Sequence, residues 1–266
     1  MLHIATAHRG TARWIEIQAE HLRRHIAVPF MVWGSLAGLD AAHGASFDRV
    51  IGQKGPEHAK LNHLAVEISR EADEDDLLMF LDPDAFPIAD PMPVIEGALA
   101  RAPLLAVRRA ENFEPQPHPC FCVTSVGTWR ALAGDWSDGY PFAGADGRRA
   151  TAPGANLLRR LELSGTPWVQ LLRTNGQRRD PLMFAIYGEV VYHHGGAEIA
   201  AADRPRSPRP LPAPPSGAIA AATRRFDAQR LLLWERRLLR RSARRSEQIF
   251  RAIAAGSPDW LAQVRD

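Results

Sequence analysis

Five apolar residues in a row, Leu77-Leu78-Met79-Phe80-Leu81, stop at Asp82-Pro83-Asp84. Acids precede the run and a proline follows it, which fits a central parallel strand buried on both faces. Pro83 fixes its own φ and restricts Asp82, so the chain leaves regular strand there. In a turn both carboxylates can point toward one ligand. Hard divalent cations prefer such oxygens and leave positions open for phosphate oxygens. The same tripeptide also serves as a plain turn closing a strand.

The surroundings of that turn carry a resemblance. Asp-Asp-Leu-Leu-Met-Phe-Leu-Asp-Pro-Asp-Ala-Phe-Pro-Ile (75–88) resembles the D-x-D segment of glycosyltransferases with the nucleotide-diphospho-sugar transferase (GT-A) fold. Upstream, Lys60-Leu61-Asn62-His63-Leu64 opens a helical stretch, and a Lys-x-Asn helix leading into the D-x-D strand is similar to that family. The resemblance spans roughly residues 2–196 on short motifs. It implies an α/β fold: a GT-A-like mixed, mostly parallel sheet flanked by helices. It also implies a metal-dependent transfer of a sugar from a nucleoside diphosphate sugar, with a UDP-sugar favoured, to a hydroxyl acceptor, glycan or lipid-linked. The cofactor it implies is Mn²⁺ or Mg²⁺.

Hydrophobic patterning gives the frame. Strands are expected at 2–8, 28–36, 77–81, 104–107, 120–124, 168–172 and 182–192. Helices are expected at 11–25, 56–72, Pro91 to Arg101, from Gly127, and over 155–163. With 266 residues, the chain can bury one sizeable core plus an appendage. The expected division is a GT-A-like catalytic domain over 1–202, a stiff Pro-rich linker over 203–217, and a basic helical segment over 218–266.

Charge separates these parts. The net charge of +3 hides ten arginines against three acids in 223–251. Leu231, Trp234 and Leu238 give that segment one apolar stripe, and Ile249, Phe250 and Ile253 another. Docking or homo-oligomerisation is the expected use, with anionic membrane lipid second; nucleic acid is disfavoured. No run is apolar and long enough to span a membrane, and the N-terminus lacks a secretory pattern. The expected location is cytoplasmic, peripheral on the inner membrane if the basic helix reaches lipid. Two cysteines, Cys120 and Cys122, make no disulfide framework and read as small apolar residues of a strand.

Candidate site residues follow. Thr6, Ala7, His8 and Arg9 stand at the carboxyl end of the first strand, the edge that faces the ligand crevice in open α/β sheets. The family resemblance sets the nucleotide base and ribose there. Lys60 and Asn62, near a helix start that favours anions, join the donor-binding set with Asp82 and Asp84. His193-His194-Gly195-Gly196 ends the last strand. A histidine at this position resembles the third metal ligand of many metal-dependent GT-A enzymes, and His193 is preferred over His194. The loop-rich stretch 134–156 mixes aromatics and acids, which suit sugar faces and hydroxyls; Trp136 and Tyr140 are its acceptor-binding candidates. Inverting transfer needs a carboxylate base within reach of the acceptor hydroxyl. Asp146 is the first candidate, with Asp138 and then Asp135 behind it. The run Ala152-Pro153-Gly154-Ala155-Asn156 lacks an acid that related sequences can carry there. That departure leaves open a different class of function, a non-catalytic nucleotide-binding or interaction module on the same fold.

Overall fold

The computed structural model describes residues 1–265 except 53, 113, 144–148, 177–182 and 196–242. Two compact units divide at Gly195/Gly196.

The first unit is built on a mixed sheet of seven strands. These are β1 (Leu2–Arg9), β2 (Phe30–Ala37), β3 (Arg49–Val50), β4 (Leu77–Leu81), β6 (Leu104–Val107), β7 (His118–Ser125) and β10 (Val169–Leu171). Their spatial order is β10-β6-β7-β4-β1-β2-β3, and only β7 runs against its neighbours. This is the expected α/β arrangement, a mixed, mostly parallel sheet flanked by helices. The apolar run of β4 lies between β1 and β7, with Leu78, Met79, Phe80 and Leu81 all buried. Alternation then divides β4 between two cores. Met79 and Leu81 pack on one face with Leu22 and Ile95, while Leu78 and Phe80 pack on the other with Leu61 and Leu64.

Helices close both faces. On one side lie α1 (Ile15–His25) and α3 (Met92–Leu99); on the other lie α2 (Glu57–Glu71), α4 (Val126–Ala131) and α5 (Ala155–Ser164). Ser125 caps α4 by accepting from the Thr128 amide at 3.0 Å, which starts a helix immediately after a strand.

A second, three-stranded sheet sets the site. Just past the Asp-Pro-Asp turn comes β5 (Ala85–Pro87); β11 (Ala185–Tyr187) and β12 (Val191–His193) complete the order β11-β12-β5. The single strand expected over 182–192 is therefore a hairpin. Gly188 and Glu189 both adopt positive φ, 56° and 60°, the requirement of a tight primed turn that matches strand twist. A minor ribbon pairs β8 (Phe142–Ala143) with β9 (Arg149–Ala150).

In the second unit, residues 243–254 are helical and a further helix covers Trp260–Arg265. Arg245 Nη2 donates to the Gln263 carbonyl at 2.8 Å, tying the two together. Within the segment expected to be helical over 218–266, the described residues show two helices separated by a break. The linker 203–217 and most of the arginine cluster lie outside the described residues. Among the described residues, no helix is long and apolar enough to cross a membrane.

Candidate metal and donor site

Asp82 and Asp84 are brought together because the strand ends before them. The Ala85 amide returns to the Asp82 carbonyl at 3.0 Å, closing a turn around Pro83. The chain then enters β5, whose Ala85 is paired across the small sheet with His193 of β12. That pairing delivers the imidazole. His193 Nε2 lies 3.3 Å from Asp84 Oδ1 and 3.6 Å from Asp82 Oδ2. One ligand atom from each of the three residues falls within 4.8 Å of the others, and all three residues are buried. The backbone adds a second fastening: the His194 amide donates to the Asp84 carbonyl at 3.0 Å, and the Gly195 amide to Asp84 Oδ2 at 3.0 Å.

Burial alone would push the Asp84 carboxyl up. The neighbouring His193 outweighs it by charge and hydrogen bond, with help from His194, and holds the group below the usual range. The ionised carboxylate this leaves is the form in which an aspartate could ligate a cation. Two carboxylate oxygens and an imidazole nitrogen suit Mn²⁺, and Mg²⁺ less well because of the nitrogen.

The two adjacent histidines part company. His194 is wholly buried on the other side, its Nδ1 2.9 Å from the Tyr192 hydroxyl and its ring 4.6 Å from that of Trp14. Alternation in an extended segment explains the split.

Sequence reasoning did not find His118, Arg109 or Glu114. His118 opens β7, and because β7 runs antiparallel its first residue arrives at the edge where the parallel strands end. A bulge between Ala106 and Val107 re-aims the start of β7. His118 Nδ1 comes within 3.8 Å of Asp82 Oδ2, and Nε2 lies 3.1 Å from Arg109 Nη1. Arg109 in turn faces Glu114 at 4.0 Å. Burial pushes the Glu114 carboxyl up, and Arg109 opposes that only in part. Asp82, His118 and Cys120 form a second grouping of ligand-type atoms. It is the poorer cation holder, because a guanidinium sits against the imidazole and burial drives the Cys120 thiol far up. The signal available in sequence was Pro117-His118-Pro119, a histidine between two prolines at a strand start.

Along the same edge, past the ends of β1 and β2, lies an open basin of about 660 Å³. Arg9, Gly10, Ala37, Gly38, Lys54, Gly55, Pro56 and Lys60 line it. Gly10 and Gly38 have positive φ, and a Cβ on either would meet nothing, so backbone is exposed to whatever enters. Of the donor-binding candidates, Arg9 and Lys60 line this basin, Arg9 exposed and Lys60 itself buried beneath it, and Thr6, Ala7 and His8 are buried in β1. His8 has no exposed surface, and burial lowers its pKa to about 4, leaving a neutral ring.

The remaining candidates are redistributed. Asn62 is taken up inside the protein, its Nδ2 donating to Asp135 at 2.8 Å and its Oδ1 accepting from the Trp136 amide at 2.9 Å. Trp136 is fully buried against Phe80 and Trp129, so its ring has no face open to a sugar. Asp135, the last base candidate, is saturated by donors from Asn62, Ser137 and Asn156. Asp138 is exposed. Tyr140 is half-buried under Arg159, whose guanidinium lies 5.2 Å from the ring centre. Asp146 lies outside the described residues.

Comparison with protein-family models returned no match, and comparison with curated proteins returned none. Among solved structures, the chain is similar to a mannosyltransferase from Pyrobaculum calidifontis in complex with GDP-Man and Mn²⁺. Identity is 13%, TM-score 0.44, and the match covers 66% of this chain and 57% of that one. TarS from S. aureus matches at 9% identity and TM-score 0.37, over 51% of this chain and 30% of that one. The glycosyltransferase GlyE from Streptococcus pneumoniae, in its apo form, matches at 14% and 0.40, over 64% and 44%. The chain thus spans well under two thirds of the length of these proteins.

Proposed function

We propose that this protein is a metal-dependent glycosyltransferase, moving a sugar from a nucleoside diphosphate sugar to a hydroxyl acceptor. The observation that carries the reading is the convergence of Asp82, Asp84 and His193 at the edge that also holds the cationic, glycine-lined basin. On this reading Asp82, Asp84 and His193 hold Mn²⁺ or Mg²⁺. The bound ion supplies Lewis-acid neutralisation of the charge that develops on the leaving diphosphate. Arg9, Lys54 and Lys60 hold the nucleotide end, where exposed backbone permits close approach, and a UDP-sugar is the favoured donor. Asp146, with Asp138 behind it, takes the proton of the acceptor hydroxyl, and Tyr140 contributes to the acceptor side. The Arg-rich segment within 223–251 serves docking, to a second copy or to anionic lipid.

Thermal-shift titration with a panel of nucleoside diphosphates, with and without Mn²⁺, tests the reading. A ligand that binds only the folded state raises the melting temperature by mass action. The expected result is a Mn²⁺-dependent rise with one nucleotide, abolished in Asp84→Ala. No rise with any nucleotide would sink the donor site.

A further inference from the structure

Gln18 is a polar residue on the buried side of α1, in phase with Ile15 and Leu22, and only 2% exposed. Its side chain reaches across 64 residues of sequence to the metal turn. Nε2 donates to the Asp82 carbonyl at 2.7 Å and to the Ala85 carbonyl at 2.8 Å. Those two carbonyls bracket Pro83 and Asp84. Both amide hydrogens are used, one on each end of the turn, and two acceptors in that position fix which end of the amide carries nitrogen.

The amide is itself held. With Nε2 committed to carbonyls, Oε1 must accept, and its partner is His8 Nε2 at 3.3 Å. His8 therefore carries its hydrogen on Nε2, and the Thr6 hydroxyl stands 3.4 Å from the same nitrogen. A chain of side chains thus runs from the end of β1, through α1, to both ends of the Asp-Pro-Asp turn.

Pro83 has no N–H to give. The turn's own backbone contributes the Ala85 to Asp82 bond, and β12 fastens Asp84 from the far side. The distance between the two carboxylates depends on how tightly carbonyls 82 and 85 are drawn together, and Gln18 is the side chain that spans them.

We propose that Gln18 is a positioning residue for the metal-binding pair: by bridging the Asp82 and Ala85 carbonyls it sets the spacing of the Asp82 and Asp84 carboxylates, with His8 orienting its amide. The inference rests on reading Asp82, Asp84 and His193 as a metal site. It does not involve contact of Gln18 with metal, donor or acceptor.

The test compares the wild type with Gln18→Met, which keeps length and removes both donors, and Gln18→Glu, which sets a carboxylate against two carbonyls. Mn²⁺ affinity is read by electron paramagnetic resonance of free ion, and the metal-free fold by circular dichroism and melting temperature. The expected result is a Kd for Mn²⁺ raised roughly 10- to 100-fold, the range for groups that orient metal ligands from behind. Metal-free circular dichroism of Gln18→Met should match wild type. A residue that merely filled the core would lower the melting temperature and leave the Kd unchanged; a Kd within twofold of wild type in both variants overturns the proposal. Loss of fold in both overturns it too, since the amide would then be holding the core rather than the pair. Wild type that binds no Mn²⁺ overturns the metal site itself, and this inference with it.

Discussion

Asp135 and Asp84 are aspartates in the same compact unit, and they are surrounded in opposite ways. Asp135 has gathered donors: Asn62 Nδ2 at 2.8 Å, the Ser137 amide at 2.9 Å and Asn156 Nδ2 at 2.9 Å. Burial opposes its charge, yet these hydrogen bonds overcome it and bring the carboxyl to about 2. Asp84 has gathered ligand-type atoms. Asp82 and His193 converge with it, and the Gly195 amide donates to its Oδ2 from the backbone. The first cluster is complete in neutral partners and pins a loop onto α2 and α5. The second concentrates lone pairs and negative charge beside one imidazole, the arrangement proposed above to hold a metal ion. Two acids within one sequence can look alike and be told apart by what points at them.

The sharpest way to break that comparison uses the adjacent histidines. His193→Ala should weaken Mn²⁺ binding roughly 10- to 100-fold or more, since the effect of removing a ligand is at least that of removing its support. His194→Ala should instead lower the melting temperature, because it removes the partner of Tyr192 and the ring against Trp14, and leave Mn²⁺ affinity within about threefold. Equal effects on metal binding would erase the distinction between the two.

Asp135→Ala addresses the other cluster. It leaves Asn62 and Asn156 without their acceptor, at a cost of about 1–2 kcal/mol after allowing for partial exposure. That corresponds to roughly 2–8 °C in Tm for a unit of this size, measured by calorimetry. Mn²⁺ affinity should not move. A change in metal affinity would show that the two clusters are coupled.

A smaller effect is expected from pH near neutrality. His8 falls from 6.5 to about 4 on folding, so between those values the unfolded chain binds more protons and stability rises with pH. Its contribution is complete above 6.5 and is lost as pH falls toward 4. Going from pH 7 to pH 6 should cost roughly 0.7 kcal/mol from this residue. Denaturant midpoints at the two pH values check it, and His8→Asn should reduce the difference by that amount, while His21 and His118, also lowered by burial, keep contributing theirs.

Much of this architecture was legible as pattern. The run Leu77–Leu81 announced a central strand because burial on both faces demands apolar residues without alternation. The Asp-Pro-Asp turn was legible because proline ends strands. The convergence of His193 was visible only as a suspicion, for it depends on β12 pairing with β5, a contact across more than a hundred residues that no local pattern encodes. Trp136 misled for a physical reason: an aromatic beside acids serves sugar binding and core anchoring equally well, and only burial separates them. Gln18 left a trace that went unread, a long polar residue on the apolar stripe of α1, where an uncompensated amide would be costly.

The reversed strand β7 has a consequence for how this edge could be altered. The connection from β6 to β7 leaves and re-enters the sheet at the same edge, the one proposed for the ligand, and its described residues, 108–112 and 114–117, lie between those two strand ends. Arg109, Glu111 and Glu114 belong to that one short segment, clamped at both ends by strands that pair along their length. The segment is also fastened to the small sheet, Glu111 accepting from the Tyr187 hydroxyl at 2.7 Å, so a change within it reaches both sheets.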